Sequence, residues 1–212
     1  DETYELSDTD CVIADANGPV GLGGIMGGLE TGSSLDTKNV LVESAWFDPV
    51  AIALSGRHHH IESDARYRFE RGVDPKSVDT ALNMAVQMIV DLCGGAPSKP
   101  VIAGGVPQAE KTIAFDSARV AQLTGLTLAE AEMQRILEAL GFGVTTGESG
   151  GTWQVSVPSW RPDIDDAPYG AADIVEEITR IHGLTEVPST PLPKQAGVAK
   201  PTLTLAQRRA GL

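Results

Sequence analysis

Five glycines within eight residues restrict what the first part of this chain can form. They lie in the segment GLGGIMGG, residues 21–28. The segment follows β-type sequence and the turn signal Asn17-Gly18, so residues 11–28 predict a strand, a turn and a second strand. No helix opens from these glycines, which excludes the dinucleotide-binding fingerprint. Two interpretations stay open, a tightly turned pair of strands or a bare backbone wall against which a ligand lies.

The charge balance restricts the partners of the chain. Its 212 residues include 16 Lys and Arg against 29 Asp and Glu, a net charge of −13, which argues against nucleic-acid binding through the whole surface. The two cysteines form no disulfide framework, so a cytoplasmic protein is expected. No apolar run approaches the roughly 18 residues of a membrane helix, so no membrane partner is predicted. The C-terminal LAQRRAGL resembles a helix cut short, and we expect the sequence to belong to a longer protein.

Apolar patterning predicts the elements of the first unit. Residues 39–47, NVLVESAWF, are rich in β-formers and predict a buried strand. Glu43 within this strand faces either an edge or a cavity, because a carboxylate is costly inside an apolar layer. The Asp-Pro pairs at 48–49 and 74–75 each predict the start of a helix, since Asp caps helices and Pro suits the first helical position. The second of these helices is expected to end at Gly94.

Three arginines stand close together in this acidic chain. Apolar and charged residues alternate over 65–70, which predicts an extended segment. Arg66 and Arg68 belong to this alternation, and Arg71 follows it. Neighbouring carboxylates make the stretch nearly neutral and favour ion pairs that staple it in place. Contact with phosphate or RNA is the alternative interpretation. The consecutive histidines 58–60 cannot converge on one metal ion and predict a partly exposed run.

The second half predicts a separate unit. Residues 111–190 show the order strand, two helices, hairpin and helix, which is winged-helix-like. The segment TLAE, residues 127–130, matches a capping box, and Gly183 is expected to end the third helix. We place the boundary between the units in the loose stretch 104–110. The proline-rich and basic segment 191–212 is expected to be a linker and the start of another domain.

Acidic residues cluster on the third helix of this second unit. Asp173, Glu176 and Glu177 are spaced i, i+3 and i+4, which places their carboxylates on one helix face. Mg²⁺ would compensate their repulsion, and Asp163 in the preceding loop is a fourth oxygen ligand. The alternative is that acids near a helix N-terminus favour the helix dipole while Glu176 pairs with Arg180. Spacing alone leaves both interpretations open.

Five motifs in fixed order give the chain a family resemblance. They are GIMGG, VLVESAWFDP, RYRFERGVDP, VPSWRPDI and ADIVEEITRIHG. With these motifs the chain resembles the bacterial phenylalanyl-tRNA synthetase β chain over nearly its whole length. The resemblance implies an α+β fold. Residues 1–110 would be the C-terminal part of the tRNA-editing domain, with part of a mixed sheet, and residues 111–190 the small winged-helix-like module.

The resemblance also implies a function. In that family two α and two β chains form a heterotetramer that attaches phenylalanine to tRNA(Phe) with ATP. The ATP site is expected on the α chain. The β chain contacts the tRNA and hydrolyses tyrosine that was attached by mistake. Such editing is needed because an apolar pocket rejects an added hydroxyl poorly, whereas a second pocket that hydrogen-bonds the hydroxyl discriminates well.

Site residues carry over position by position. Glu43 falls on the glutamate that reads the tyrosine phenol, Gly27 on the glycine wall, and Ser63 and Ala65 on small residues that line the editing pocket. The Mg²⁺ carboxylates are Asp163, Asp173, Glu176 and Glu177. The loop before the helix is a few residues longer than the family pattern, which leaves Asp165 and Asp166 as alternatives to Asp163. HHHIES stands where the family more often has a glycine and one histidine.

Two other functions remain as alternatives. The first is a purely structural module at the subunit interface, without an editing pocket. The second is a winged-helix nucleic-acid binder, which the acidic third helix disfavours. No base–nucleophile pair is evident in the sequence, so hydrolysis would use positioned water with help from the ribose hydroxyls of the tRNA. The chain alone is expected not to deacylate tyrosyl-tRNA.

Overall fold

A computed structural model describes residues 2–105, 107, 110–147, 152–165, 169–193 and 203–211. The fold is α+β, as predicted. The helices are α1 (Pro49–His58), α2 (Asp64–Phe69), α3 (Val78–Cys93), α4 (Ala118–Thr124), α5 (Glu130–Ala139), α6 (Gly170–His182) and α7 (Leu205–Ala210). The strands are β1 (Val12–Asp15), β2 (Gly18–Leu22), β3 (Met26–Gly27), β4 (Lys111–Asp116), β5 (Gly143–Thr145) and β6 (Thr152–Val157). Short 3-10 turns cover Pro75–Ser77 and Leu184–Glu186.

The glycine-rich segment forms the sheet of the first unit. Its strands run antiparallel in the order β1-β2-β3, so this part of the fold contains an antiparallel sheet where a mixed one was expected. Gly18 lies at the turn between β1 and β2 and has a φ of 140°, a conformation that glycine adopts without strain. The side chain of Asp15 secures the turn by accepting from the amide of Asn17 at 2.7 Å. The predicted strand–turn–strand is confirmed.

Residues 39–47 do not form the predicted buried strand. They have no regular secondary structure, and Val40 and Leu41 are 55% and 93% exposed. A sequence rich in β-formers becomes a strand only where a neighbouring strand accepts its backbone hydrogen bonds. Within the described residues no strand pairs with this segment, since β3 is two residues long and pairs with β2.

The segment predicted as extended is instead the helix α2. The hydroxyl of Ser63 caps it by accepting from the amide of Arg66 at 3.1 Å. The ion pair between Arg66 and Glu70, 3.0 Å long and spaced i, i+4, adds support along the helix. Local capping therefore outweighs an alternation of period two that extends over only six residues.

Both Asp-Pro pairs start helical structure as predicted. Asp48 caps α1 by accepting from the amide of Ala51 at 2.8 Å, with Pro49 at the first helical position. Asp74 caps the 3-10 turn that leads into α3. No residue of α3 is buried, and its long apolar side chains Met84, Met88 and Leu92 are exposed.

The second unit has the predicted order of elements and the larger core. Its sheet is antiparallel with the order β4-β6-β5, and α4, α5 and α6 contribute buried residues to the same core. Phe115 and Trp153 lie edge to face at its centre, with ring centroids 5.9 Å apart. Trp160 is 56% exposed and lies against Gly141.

The capping box predicted at 127–130 is absent. Helix α5 begins at Glu130, with Ala129 at the cap position and no side-chain cap hydrogen bond. The physical reason is that the carboxylate of Glu130 accepts from the hydroxyl of Ser117 at 2.7 Å. It therefore does not turn back to the amide of Thr127. In the described part of the chain no helix is long and apolar enough to cross a membrane.

Candidate functional site

A cavity of about 780 Å³ lies against the glycine-rich strands of the first unit. Residues 20–27, which we call the glycine wall, line it together with Ala65 and Phe69 of α2. The segment that was expected to be a strand supplies Glu43. The volume is within the range of about 300–1,000 Å³ typical of small-molecule sites.

The glycines of this wall have two different roles. A Cβ atom at Gly23 would lie 2.8 Å from the ring of Phe47, and one at Gly24 would lie 2.9 Å from the same ring. Gly24 also has a φ of 68°, which glycine adopts without strain. These two positions bring the backbone close to the aromatic rings of Phe47 and Phe69, whose centroids are 5.2 Å apart. A Cβ atom at Gly27 would instead meet nothing within 4 Å, so its bare backbone borders open space.

Three of the four predicted pocket residues lie around this cavity. Gly27, Glu43 and Ala65 all line it. Glu43 is exposed, and in the described residues no hydrogen bond or ion pair engages its carboxylate. Asp15 and Glu30 line the same cavity, and no lysine or arginine is among the lining residues. The electrostatics of the cavity therefore favour ligands with hydrogen-bond donors or positive charge and disfavour phosphate.

Ser63 does not line the cavity but supports it. Its hydroxyl donates to the carbonyl of Ile25, at 2.6 Å, and also caps α2. Ile25 lies in the glycine wall, so this contact joins the wall to the helix that carries Ala65. The side chain of Ser63 lines a neighbouring groove together with Tyr67 and Glu70.

Two of the three arginines act as ties within the structure. Arg66 donates to the carbonyl of Ile61 at 2.7 Å and pairs with Glu70. Arg71 donates to the carbonyl of Tyr67 at 2.7 Å, and its guanidinium lies 3.6 Å from the centroid of that ring. Arg68 is exposed, and its side chain has no hydrogen bond or ion pair with other described residues.

The carboxylates predicted to bind Mg²⁺ are partly engaged by an arginine. Arg161 makes two hydrogen bonds to Asp163, at 2.8 and 2.6 Å, and pairs with Glu177 at 3.0 Å. The other oxygen of Glu177 pairs with Arg180 at 2.6 Å. The hydrogen bonds from Arg161 lower the pKa of Asp163, against the opposing effect of burial. Asp163 and Glu177 therefore fit a divalent cation only if they give up Arg161.

The other two carboxylates stand apart from this network. Asp173 is half-buried in the first turn of α6, and Glu176 is exposed. Arg180 pairs with Glu177 and not with Glu176, which corrects one alternative of the sequence interpretation. Of the loop alternatives, Asp165 lies 3.8 Å from Lys111, and Asp166 is outside the described residues. Within the part of the chain that is described, no group of three or more His, Cys, Asp or Glu is arranged to hold a metal ion.

Sequence reasoning missed two buried residues beside the site. His59, predicted in a partly exposed run, has a side chain 4% exposed, and it contacts the carboxylate of Asp10, which is 2% exposed. Asp10 lies in a polar segment, SDTDC, whose composition is typical of a surface loop. No local signal identifies either residue, because each is buried by a contact 49 positions away in the chain.

Comparisons with known proteins agree on both halves of the chain. Residues 1–94 match the B3/4 domain, and residues 113–184 match the tRNA synthetase B5 domain. The phenylalanine–tRNA ligase beta subunit of Novosphingobium aromaticivorans is 48% identical over 204 residues, covering 96% of this chain and 24% of that protein. The subunits of the same name from Cereibacter sphaeroides and Rhodospirillum rubrum are 47% and 49% identical, each across 98% of this chain and 25% of their own length. The chain thus spans about a quarter of these curated relatives.

Replacing Arg161 by glutamine tests the ion-pair network of the second unit. We expect the free energy of unfolding to fall by about 2 kcal/mol, because the buried carboxylate of Glu177 loses a charged hydrogen-bond donor. Urea denaturation measures the change. Arg135→Gln is the matched control, since Arg135 pairs with Glu132 on the exposed face of α5, and it should shift the midpoint little. Equal small shifts for both variants would contradict a stabilising role for Arg161.

Proposed function

Since the chain belongs to the phenylalanine–tRNA ligase beta-subunit family, we propose that it serves an enzyme that attaches phenylalanine to tRNA(Phe) using ATP. Its first unit, residues 1–110, would be the C-terminal part of the domain that hydrolyses mischarged tyrosyl-tRNA. Residues 111–190 would be the winged-helix-like module, and residues 191–212 a linker to another domain. One observation carries the editing proposal: Gly27, Glu43 and Ala65 line a single cavity.

The charges around the cavity support a tyrosyl ester as the ligand. The carboxylate of Glu43 is unengaged within the described structure and can accept a hydrogen bond from a phenol hydroxyl. Phenylalanine has no group to make this contact. An aminoacyl ester has a positively charged ammonium group and no free carboxylate, which suits a lining that contains Asp15 and Glu30 but no cation. Free tyrosine, with its carboxylate, suits the same lining less well.

The shape of the wall supports an aromatic side chain. The backbone at Gly27 borders open space, so a flat ring can lie directly on it. Ala65 adds a second small side chain to the lining, from α2. A cavity of about 780 Å³ exceeds what a tyrosine side chain needs and leaves room for part of the tRNA terminus. The same features argue against the structural-module alternative, which requires no open, unengaged carboxylate.

The chemistry of hydrolysis would depend on orientation. The lining contains the hydroxyl side chains of Thr31, Ser33 and Thr37. It contains no histidine or cysteine among the described residues. The hydroxyl of Thr31 donates to the carbonyl of Val20 and that of Thr37 contacts Ser34, and in the described lining no hydroxyl is hydrogen-bonded to a carboxylate that could activate it. We propose that the chain binds the tyrosyl group and fixes the ester, while a positioned water attacks the ester carbonyl with help from a ribose hydroxyl. Ester cleavage then releases tyrosine and uncharged tRNA.

The partners follow from the same proposal. The β subunit would assemble with the α chain, two of each, in the cytoplasm, and ATP would bind to the α chain. The exposed carboxylate of Glu176 and the half-buried one of Asp173 disfavour the nucleic-acid-binding alternative for the second unit, because they would repel a phosphate backbone. We also propose that Mg²⁺ binds the carboxylates of Asp163, Asp173, Glu176 and Glu177 weakly, since it competes with Arg161 for two of them.

Replacing Glu43 by alanine in the assembled synthetase tests the phenol-reading role. We expect tyrosyl-tRNA hydrolysis to fall by roughly ten- to hundredfold, the effect of losing one hydrogen bond to a charged group, while phenylalanylation stays near normal. Deacylation of tyrosyl-tRNA(Phe) measures the first rate and aminoacylation the second. Glu5→Ala removes an exposed carboxylate outside the cavity and should change neither. Full editing activity in Glu43→Ala would remove this role.

Replacing Gly27 by valine tests the wall. A Cβ atom at this position meets no atom of the described protein within 4 Å, so we expect the melting temperature to change little. The valine would occupy the space proposed for the ring, and tyrosyl-tRNA hydrolysis should fall at least tenfold through steric exclusion. Gly105→Val is the matched control, because a Cβ atom there also meets nothing within 4 Å and Gly105 lies outside the cavity. Unchanged hydrolysis in Gly27→Val would place the substrate elsewhere.

A magnesium titration tests the carboxylate set on α6. We expect weak binding in the wild type and weaker binding in Asp173→Ala, because hard cations require several oxygen ligands. Amide chemical shifts of residues 173–177 measure both affinities. Glu138→Ala on α5 removes an acid that is not in the predicted set and should leave the titration unchanged. Identical curves for the wild type and Asp173→Ala reject the proposal.

A further inference from the structure

We propose that Asp10 is a positioning residue for the cavity, because with His59 it closes a ring of contacts that holds the glycine wall against the helices α1 and α2. The ring itself is independent of the ligand. Its consequence for tyrosyl-tRNA rests on the proposed function.

Asp10 is the most extensively bonded carboxylate in the described part of the first unit. One oxygen accepts from the hydroxyl of Ser55 at 2.5 Å. The other accepts from the amide and hydroxyl of Ser7, at 2.8 and 3.0 Å, and from Nε2 of His59 at 3.0 Å. Ser7 lies in the segment before β1, and Ser55 and His59 lie in the C-terminal half of α1 and at its cap. A single side chain thus joins the segment before β1 to the C-terminal end of α1.

One side of the ring leads from Asp10 directly to the wall. The next residue, Cys11, accepts a backbone hydrogen bond from the amide of Gly23 at 2.9 Å. Gly23 lies under the ring of Phe47 and lines the cavity. Any displacement of Asp10 therefore moves the backbone that supports Gly23.

The other side leads from His59 to the same wall. His59 ends α1, and its amide donates to the carbonyl of Ser55 at 3.0 Å. Four residues later, the hydroxyl of Ser63 donates to the carbonyl of Ile25 at 2.6 Å. The loop between them is held by Arg66, which donates to the carbonyl of Ile61. The contact between Asp10 and His59 is thus the link that joins two separate supports of the wall.

The side chains of Asp10 and His59 are both buried where they meet, and a polar contact away from water affects the local structure more than an exposed one. Taking a carboxylate out of water raises its pKa, but the hydrogen bonds from Ser55, Ser7 and His59 outweigh that effect and hold the pKa of Asp10 well below its usual range. The groups that face His59 are the rings of Tyr4 and His58, with centroids 5.7 and 4.8 Å away. Among the described residues of this unit, four apolar side chains form the buried core, Leu22, Ile25, Ile52 and Ile61. A small core leaves more of the local geometry to polar contacts.

Amide hydrogen exchange of Asp10→Asn tests the ring without reference to any ligand. Asparagine has the same shape but no charge, so the hydrogen bonds from Ser7, Ser55 and His59 lose their charge-assisted strength, and one end of the side chain can only donate. We expect exchange at Gly23 to accelerate at least tenfold, with amides of the β4–β6 ladder unchanged within twofold. Asp8→Asn is the matched control, because Asp8 is exposed and the charge change is the same. Exchange at Gly23 that stays at the wild-type rate in Asp10→Asn overturns the proposal.

Three further variants decide the matter if Asp10→Asn does not fold. Ser55→Ala removes one of the four hydrogen bonds and should accelerate exchange at Gly23 about threefold. His59→Gln keeps a nitrogen donor, whereas His59→Leu does not, so the glutamine variant should be closer to the wild type. Equal exchange at Gly23 in the wild type, Ser55→Ala and His59→Leu overturns the proposal.

Kinetics of the assembled synthetase separate positioning from stability. In Asp10→Asn, loss of positioning should lower kcat/KM for tyrosyl-tRNA hydrolysis about tenfold while phenylalanylation by the same preparation stays within twofold, whereas a loss of folded protein lowers both rates together. An equal fall in the two rates overturns the positioning role. If Glu43→Ala and Gly27→Val leave editing intact, the proposed function fails, and the exchange experiment still decides whether Asp10 holds the wall.

Discussion

The first unit depends on how closely its glycine-rich backbone approaches two phenylalanine rings. At Gly23 and Gly24 a Cβ atom would lie within 2.9 Å of the ring of Phe47, so these positions exclude every residue with a side chain. The contact brings β2 and β3 against the rings of Phe47 and Phe69, and it leaves Gly27 on the border of a cavity. One steric constraint thus determines both the packing of the unit and the shape of its open wall.

In the second unit an arginine engages two of the four carboxylates that are predicted to bind Mg²⁺. Asp163 and Glu177 both pair with Arg161, and Glu177 also pairs with Arg180. Because the side chain of Glu177 is only 6% exposed, its charge requires compensation, and the two guanidinium groups supply it. The same arrangement joins the loop before α6 to the helix itself. Asp173 and Glu176 lie outside this network in the described residues, so a cation would have to compete with Arg161 only for the other two.

Most signals that act over a few residues were readable from the sequence, whereas contacts between distant residues were not. The Asp-Pro pairs, the glycines at helix ends and the order of elements in residues 111–190 depend on neighbours in the chain, and they were predicted. Two local predictions were wrong, since Ser63 caps a helix where an extended segment was expected and the capping box at 127–130 is absent. Residues 39–47 were wrongly predicted as a strand, because within the described residues no strand pairs with them. Gly27, Glu43 and Ala65 were assigned through family resemblance and do line one cavity. Asp10 and Arg161 depend on partners that only the fold brings near.

A crystal structure of the assembled synthetase with a non-hydrolysable tyrosyl-ester analogue would show whether Gly27, Glu43 and Ala65 bind the tyrosyl group. We expect the phenol ring to lie on the backbone of Gly27, with its hydroxyl within about 3 Å of the carboxylate of Glu43, a hydrogen-bond distance. Ala65 should contact the same ring. An analogue bound elsewhere, or a carboxylate of Glu43 that points away from the bound phenol, would contradict the proposed editing pocket.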